Sequence, residues 1–245
     1  LIISLVIFIL LNKIRQQRRE EQRKRLALQV LTHEFRTPIA SMLLQMERVQ
    51  KQFLTLNDDL QESFLRLSND VFRLQRLTET SRNYLKIQNS EGLLEQHEDE
   101  VPSLNDYISE QIEIYIEGEN GRFVPLEEDK DATFDSYWIS ICIKNILENA
   151  KIHGKPPISV TLKVSDNFWT VIIEDCGECP FSTFEEITSE FVKGEKSSGT
   201  GLGLNIVRKV LYDMGGELKF SKNPTKFELS IPWKIKKVGV KGLKK

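Results

Sequence analysis

An apolar repeat with steps of three and four residues, interrupted once by a short polar stretch, limits the first part of this chain to a helical hairpin. Leu11, Ile14, Leu28, Phe35, Ile39, Met42, Met46, Val49 and Phe53 follow that spacing, while Arg18, Glu21, Arg25 and Thr32 fall on the same seam and make its first half polar. The break L-T-L-N-D-D lies within residues 51 to 59, and Leu60, Phe64, Leu67, Val71, Leu74 and Leu85 then resume the spacing. Two antiparallel helices are predicted. A lone hairpin cannot bury both seams, so a second copy of the chain, completing a four-helix bundle, is the economical partner.

Within this repeat, L-T-H-E-F-R-T-P-I-A-S places His33 beside the seam, where an imidazole can reach solvent, with Glu34 next to it and Thr37 one helical turn on. Pro38 cannot donate to the carbonyl of Glu34 and its ring crowds that turn, so the helix is expected to bend or loosen beside His33. A lone histidine on a helix is ordinarily a surface residue; here its neighbours mark it as a candidate nucleophile.

The charge balance of -2, with 40% apolar and 29% charged residues, gives no nucleic-acid signal. Local charge is uneven. Seven Lys or Arg between Asn12 and Arg25 directly follow the apolar run Leu1 to Leu11, and six Lys occur from Lys234 onward. Eleven residues make about 16 Å of helix, roughly half a bilayer core. The run therefore cannot span alone. Its basic flank suits the cytoplasmic end of a truncated transmembrane helix and contact with lipid headgroups. The expected division is 1–11, the end of a membrane helix; 12–25, a basic juxtamembrane helix; 26–92, the helical hairpin; 93–235, a second domain; and 236–245, a basic tail.

In the second domain, helices are predicted from about Leu104, from about Tyr137 to His153 and from about Gly201 to Met214. Strands are predicted in I-S-V-T-L-K-V, F-W-T-V-I-I-E-D, G-E-L-K-F-S and K-F-E-L-S-I, and a loop from Cys176 to Thr200. These proportions argue for a two-layer α/β sandwich. Asn145 and Asn149 lie four apart on one helical face with Glu148 beside them, an arrangement suited to Mg²⁺ shared with phosphate oxygens. Asp175 ends a strand just before Cys176 and Gly177, where a carboxylate can accept a hydrogen bond from an exocyclic amine and glycine lets the backbone approach a flat ring. Gly199, Gly201 and Gly203 open a helix, offering unpaired N–H groups and the positive end of a dipole to phosphates. This glycine cluster comes too late in the chain for a dinucleotide-binding βαβ unit.

Taken in order, H-E-F-R-T-P, N-I-L-E-N-A, D-C-G, F-V-K-G and G-T-G-L-G-L resemble the phosphoacceptor, asparagine, first-glycine, phenylalanine and second-glycine boxes of sensor histidine kinases. The resemblance covers nearly everything from Leu26 to Trp233. It implies a dimerisation and phosphotransfer hairpin followed by a Bergerat-type ATP-binding domain. It further implies that His33 takes the γ-phosphoryl group of ATP at Nε2, that Glu34 orients the ring through Nδ1, and that Thr37 places water for dephosphorylating a response-regulator receiver domain. Asn149, with Glu148 as a further candidate, would hold Mg²⁺. Asn145, Lys193, Gly199, Gly201, Gly203 and Leu204 would surround the phosphates, and Asp175 with Gly177 would receive adenine.

Three positions depart from the family pattern. Ile152 stands where Lys or Arg is usual, leaving phosphate neutralisation to Lys193 or His153. Cys179, followed by Pro180, replaces a glycine, and Thr188 replaces an aromatic. These changes bear on ATP affinity, and they keep open the alternative of a non-catalytic or phosphatase-only dimeric scaffold. An ATPase acting on a macromolecule would need no phosphoacceptor histidine. Cys176 and Cys179 form a C-x-x-C, a pair that can form a disulfide or bind Zn²⁺ as a redox or metal switch; a structural zinc site wants four ligands and the chain has three cysteines, so the favoured reading is ordinary small loop or buried residues.

Overall fold

A computed structural model describes residues 2–89, 98–116, 120–192 and 200–233. The chain separates into two compact units, Leu1–Leu85 and Lys86–Lys245.

The first unit is a hairpin of two long helices, α1 (Ile2–Gln50) and α2 (Asp58–Asn89), joined through a short 3₁₀ turn at Phe53–Thr55. Asn57 accepts the backbone N–H of Leu60 and so satisfies one of the free donors at the start of α2. The ring of Phe53 packs on Phe64 across the turn, 5.7 Å between centroids. Pro38 lies inside α1, and the helix continues through it without a break in assignment. The expected loosening beside His33 therefore does not interrupt the helix, which runs unbroken from the basic segment to the turn.

Burial divides the seam of α1 into two rows. Thr32, Ile39 and Met46, seven residues apart, are buried, whereas Phe35, Met42 and Val49, also seven apart, remain exposed. On α2, Val71 is buried while Leu60, Leu67 and Leu74 are exposed. A single partner helix covers only one side of a helical seam, which leaves the second row of each helix facing outward. Among the described residues, no helix is long and apolar enough to cross a membrane.

The second unit begins with β1 (Asp99–Val101) and α3 (Leu104–Tyr115), continues through β2 (Gly121–Val124) and β3 (Ala132–Phe134), and reaches α4 (Ser136–His153). After β4 (Ile158–Val164) and β5 (Phe168–Glu174) come the short α5 (Phe184–Thr188), then α6 (Gly203–Asp213), β6 (Glu217–Ser221) and β7 (Lys226–Pro232). Five strands form one sheet in the order β2-β4-β5-β7-β6, parallel between β2 and β4 and antiparallel elsewhere, and β1 pairs separately with β3. The register aligns Leu162, Val171, Leu229 and Leu218 in one row across four strands. Residues two apart along β4, β5 and β7 are buried, including Val160, Trp169, Val171, Ile173, Leu229 and Ile231, which gives the sheet one apolar face. Helices α3, α4 and α6 pack together as the second layer. The architecture is thus a helical region followed by an α/β sandwich, as the motif order implied.

Sequence periodicity located the long elements, and local capping explains where they start. Ser103, Asp135 and Thr183 each accept a backbone N–H in the first turn of α3, α4 and α5. The strands β1, β2 and β3 and the five-residue α5 were not anticipated. They are too short to carry a period of their own, and α5 lies within the predicted loop 176–200.

Candidate functional site

In the first unit, His33 and Glu34 are both strongly exposed on α1, with His33 Nδ1 3.4 Å from Glu34 Oε1. The contact is long, but it joins the Nδ1 side of the ring to a carboxylate and leaves the Nε2 side for a reactant. Thr37 is exposed one turn on. The buried neighbour Thr32 donates its hydroxyl to the Leu28 carbonyl at 2.7 Å, so it sits within the helix wall.

In the second unit, the predicted residues converge on the edge of α4 and the loops around it. One side of α4 is core, with Ile139, Cys142, Ile143, Ile146 and Leu147 fully buried. Asn145, Glu148 and Asn149 lie along a half-buried flank. The amide of Asn145 donates back to the Ile141 carbonyl at 2.8 Å. Its oxygen faces the start of α6 so closely that a Cβ on Gly203 would lie 2.5 Å from it. A side chain at residue 203 would therefore have to displace the Asn145 amide. Asn149 makes no hydrogen bond among the described residues, so its carbonyl oxygen is available to a cation.

Asp175 is 4% exposed. Its Oδ1 accepts the backbone N–H of Gly177 at 2.6 Å and of Lys155 at 3.2 Å, which fixes the carboxylate plane. Oδ2 lies against Gly154, where a Cβ would come within 2.7 Å, and it has no hydrogen-bond partner among the described residues. No buried side-chain oxygen lacks a partner among the described residues, so Oδ2 reaches the surface of the residue, where an external donor can meet it. The loop that carries it is stitched into the sheet, because Asp175 N–H donates to Thr225, Thr225 N–H to Gly177 and Cys179 N–H to Lys222.

At the start of α6, Leu202 occupies the N-cap position without a side-chain cap, and Gly203 and Leu204 open the helix. Thr200 Oγ1 accepts the Leu202 N–H at 3.3 Å. The leading N–H groups therefore point out uncapped, as an anion site requires. Gly201 lies in the turn just before, and Lys193 and Gly199 lie outside the described residues.

The departures resolve unevenly. Ile152 is exposed at the end of α4 and adds no charge. His153 is exposed overall, yet the burial it does have holds its imidazole below the ordinary histidine range, which makes it a weak counter-charge for phosphate. Cys142 and Cys179 are buried and Cys176 is exposed, all as free thiols, and burial pushes the Cys142 and Cys179 thiols up. Among the described residues, no group of three His, Cys, Asp or Glu could hold a metal ion by itself. Mg²⁺ at Asn149 and Glu148 would therefore depend on oxygens brought by a ligand. Sequence reasoning missed Gly154 and Lys155, which shape the Asp175 pocket, and it missed the partners of Thr188. A glycine capping a helix just before a strand was the available signal for the first pair.

Residues 134–235 match the family described as histidine kinase-, DNA gyrase B-, and HSP90-like ATPase. Sensor histidine kinase VxrA of Vibrio cholerae is 35% identical over 216 residues, covering 88% of this chain and 42% of that protein. Sensor protein RstB of Escherichia coli is 26% identical over 195 residues, covering 76% of this chain and 43% of RstB. The chain thus spans less than half the length of these relatives. Among solved structures, Acinetobacter baumannii histidine kinase AdeS matches with a TM-score of 0.56 at 19% identity, covering 82% of this chain and 98% of that one. Full-length ShkA in complex with AMPPNP matches with a TM-score of 0.62 at 19% identity, over 87% of this chain and 47% of its own. At that identity the two structures speak for the fold alone.

Proposed function

We infer the activity of this chain from its membership of the sensor histidine kinases: it phosphorylates itself on His33 with Mg-ATP and passes the phosphoryl group to an aspartate of a response regulator. The observation that carries this reading is Asp175, a largely buried carboxylate with one oxygen held by two backbone N–H groups and the other free for a ligand, in the same unit as a glycine-opened helix without a side-chain cap and the available amide of Asn149. ATP supplies the phosphoryl group, and Mg²⁺ the counter-charge that Ile152 does not. Asp175 Oδ2 accepts the exocyclic amine of the base, Gly177 gives the ring space, and the leading N–H groups of α6 at Gly203 and Leu204 face the phosphates. Asn145 lies against Gly203, and Asn149, with Glu148 beside it, binds the cation. Lys193, Gly199 and Gly201 complete the phosphate surround in this reading.

On the hairpin, Glu34 accepts the Nδ1 proton of His33, which fixes the tautomer with the lone pair on Nε2, the atom that bonds to phosphorus. Thr37 orients a water for removal of the phosphoryl group from the regulator, so the same helix serves kinase and phosphatase. The exposed rows Phe35–Met42–Val49 and Leu60–Leu67–Leu74 support a homodimer in which two hairpins form a four-helix bundle. The apolar start of α1 and its basic continuation support attachment at the cytoplasmic face of a bacterial inner membrane.

Incubating the purified chain with Mg²⁺ and γ-labelled ATP tests the proposal. Acid-labile, alkali-stable label is expected on the parent, with at least a tenfold loss in Asn149→Ala from weakened metal binding, roughly the effect of losing one positioned ligand. Exposed Ile152 favours the second reading, a non-catalytic or phosphatase-only dimeric scaffold; a parent that neither labels nor binds ATP would move the conclusion to that reading. The dimer has its own test. Met42→Glu places a charge on the exposed row, and light scattering is expected to show a monomer of unchanged helix content. A Met42→Glu chain that still runs as a dimer would place the interface elsewhere.

A further inference from the structure

Helices α5 and α6 are joined by side chains that the nucleotide reading does not use. Thr188 ends α5 and is fully buried, an unusual place for a hydroxyl in a position where the family carries an aromatic. Its hydroxyl both donates and accepts, and its carbonyl accepts from a side chain. Its Oγ1 donates to the Phe184 carbonyl at 2.8 Å and accepts from Arg208 Nη1 at 3.0 Å, and its own carbonyl accepts from Asn205 Nδ2 at 3.2 Å. Asn205 is itself 8% exposed. Both donors come from α6, Asn205 within its glycine-opened first turn and Arg208 in the next.

The chain leaving α5 has little slack. Ser189 is tied back to the helix through its N–H on the Glu186 carbonyl and its hydroxyl on the Glu185 carbonyl. Phe191 follows, and its N–H donates to the Gly201 carbonyl at 3.0 Å. Phe191 has φ 62 and Gly201 φ 72, both left-handed. A phenylalanine adopts that conformation only where its surroundings impose it. A Cβ on residue 201 would lie 2.6 Å from the Val192 carbonyl oxygen, so the two backbones close against each other at this point.

We propose that Thr188, Asn205 and Arg208 form a polar latch that holds the Phe191–Gly201 clasp against the start of α6, acting as positioning residues for the groups that receive nucleotide phosphates. The proposal rests on the nucleotide-binding reading and explains how a threonine serves where an aromatic is usual: packing has been exchanged for directional bonds. An aromatic ring fills space, whereas a hydroxyl and a carbonyl, each bonded to a different residue of α6, also set the rotation of α5 about that helix.

Amide hydrogen exchange on the nucleotide-free chain, together with the dependence of autophosphorylation on ATP concentration, tests this. Thr188→Val keeps the volume and removes the hydroxyl. It is expected to speed exchange of the Phe191 amide about tenfold, the scale of one buried hydrogen bond to a charged donor, with β5 and β7 amides unchanged. The KM for ATP is expected to rise roughly fivefold with kcat retained. Thr188→Ser should restore parent values in both. Should Thr188→Val fold poorly, Arg208→Met removes the same bond from the exposed side and carries the same expectation. Unchanged Phe191 exchange, or exchange that accelerates equally in β5, would overturn the latch. Faster Phe191 exchange in Thr188→Val, when the parent itself binds no ATP, would overturn the latch's nucleotide role along with the nucleotide reading, while leaving the mechanical link standing.

Discussion

His33→Gln is expected to eliminate acid-labile label from the protein while leaving ATP affinity at the parent value. Gln keeps a polar side chain of similar reach on an exposed helical position, so the cost in stability stays within about 0.5 kcal/mol. It has no ring nitrogen able to form the phosphoramidate bond, so the loss is complete rather than partial. Affinity is untouched because His33 belongs to the unit Leu1–Leu85, whereas Asn149, Asp175 and Gly203 belong to Lys86–Lys245. Residual label of the same chemical lability on His33→Gln would show that another residue accepts the phosphoryl group. Fluorescent-nucleotide titration run beside the labelling assay separates loss of the acceptor from loss of binding.

Asp175→Asn is expected to reduce ATP affinity by about two orders of magnitude, the penalty for facing one donor with another. The substitution is nearly isosteric. An amide oxygen in the Oδ1 place still accepts the Gly177 and Lys155 N–H groups, so the loop and the thermal midpoint are kept. An NH₂ group then stands against Gly154, where the base would present its own amine. Asp175→Ala confounds this test, because it strips two backbone donors of their partner and costs about 1–3 kcal/mol for each of them. The Asn variant also carries a positive expectation: a purine nucleotide with a carbonyl in place of the amine recovers part of the lost affinity. Calorimetry with both nucleotides decides it, and equal ATP binding by parent and Asp175→Asn would remove Asp175 from base recognition.

Much of this was legible from residue order, and what was not has identifiable physical causes. The strands β4, β5, β6 and β7 and the helices α4 and α6 are long enough for alternation or helical spacing to appear in the sequence. By contrast, β1 and β3 have three residues each and exist only through pairing with one another across an intervening helix. The seam of α1 could be read as one stripe, but its division into a buried row through Ile39 and an exposed row through Met42 depends on which side α2 takes. Thr188 looked like a lost aromatic. Its burial is intelligible only with Arg208 and Asn205 folded against it, residues too distant in sequence for any local rule to join. Asp175 is marked by its position at a strand end, while of the two backbone donors that orient it one, Gly177, is local and the other, Lys155, comes from twenty residues earlier in the chain.

The continuity of α1 has a consequence of its own. Its 49 residues make a rod of about 74 Å, with the basic segment near one end, His33 far along it and Pro38 as its single missing backbone donor. Nothing in the assigned helix between Lys13 and His33 acts as a joint, so a twist applied at the start arrives at the imidazole as a twist. Each residue of such a rod is worth about 100° of azimuth, so its length acts as a phase: the direction in which His33 points is set by how many residues separate it from whatever grips the other end.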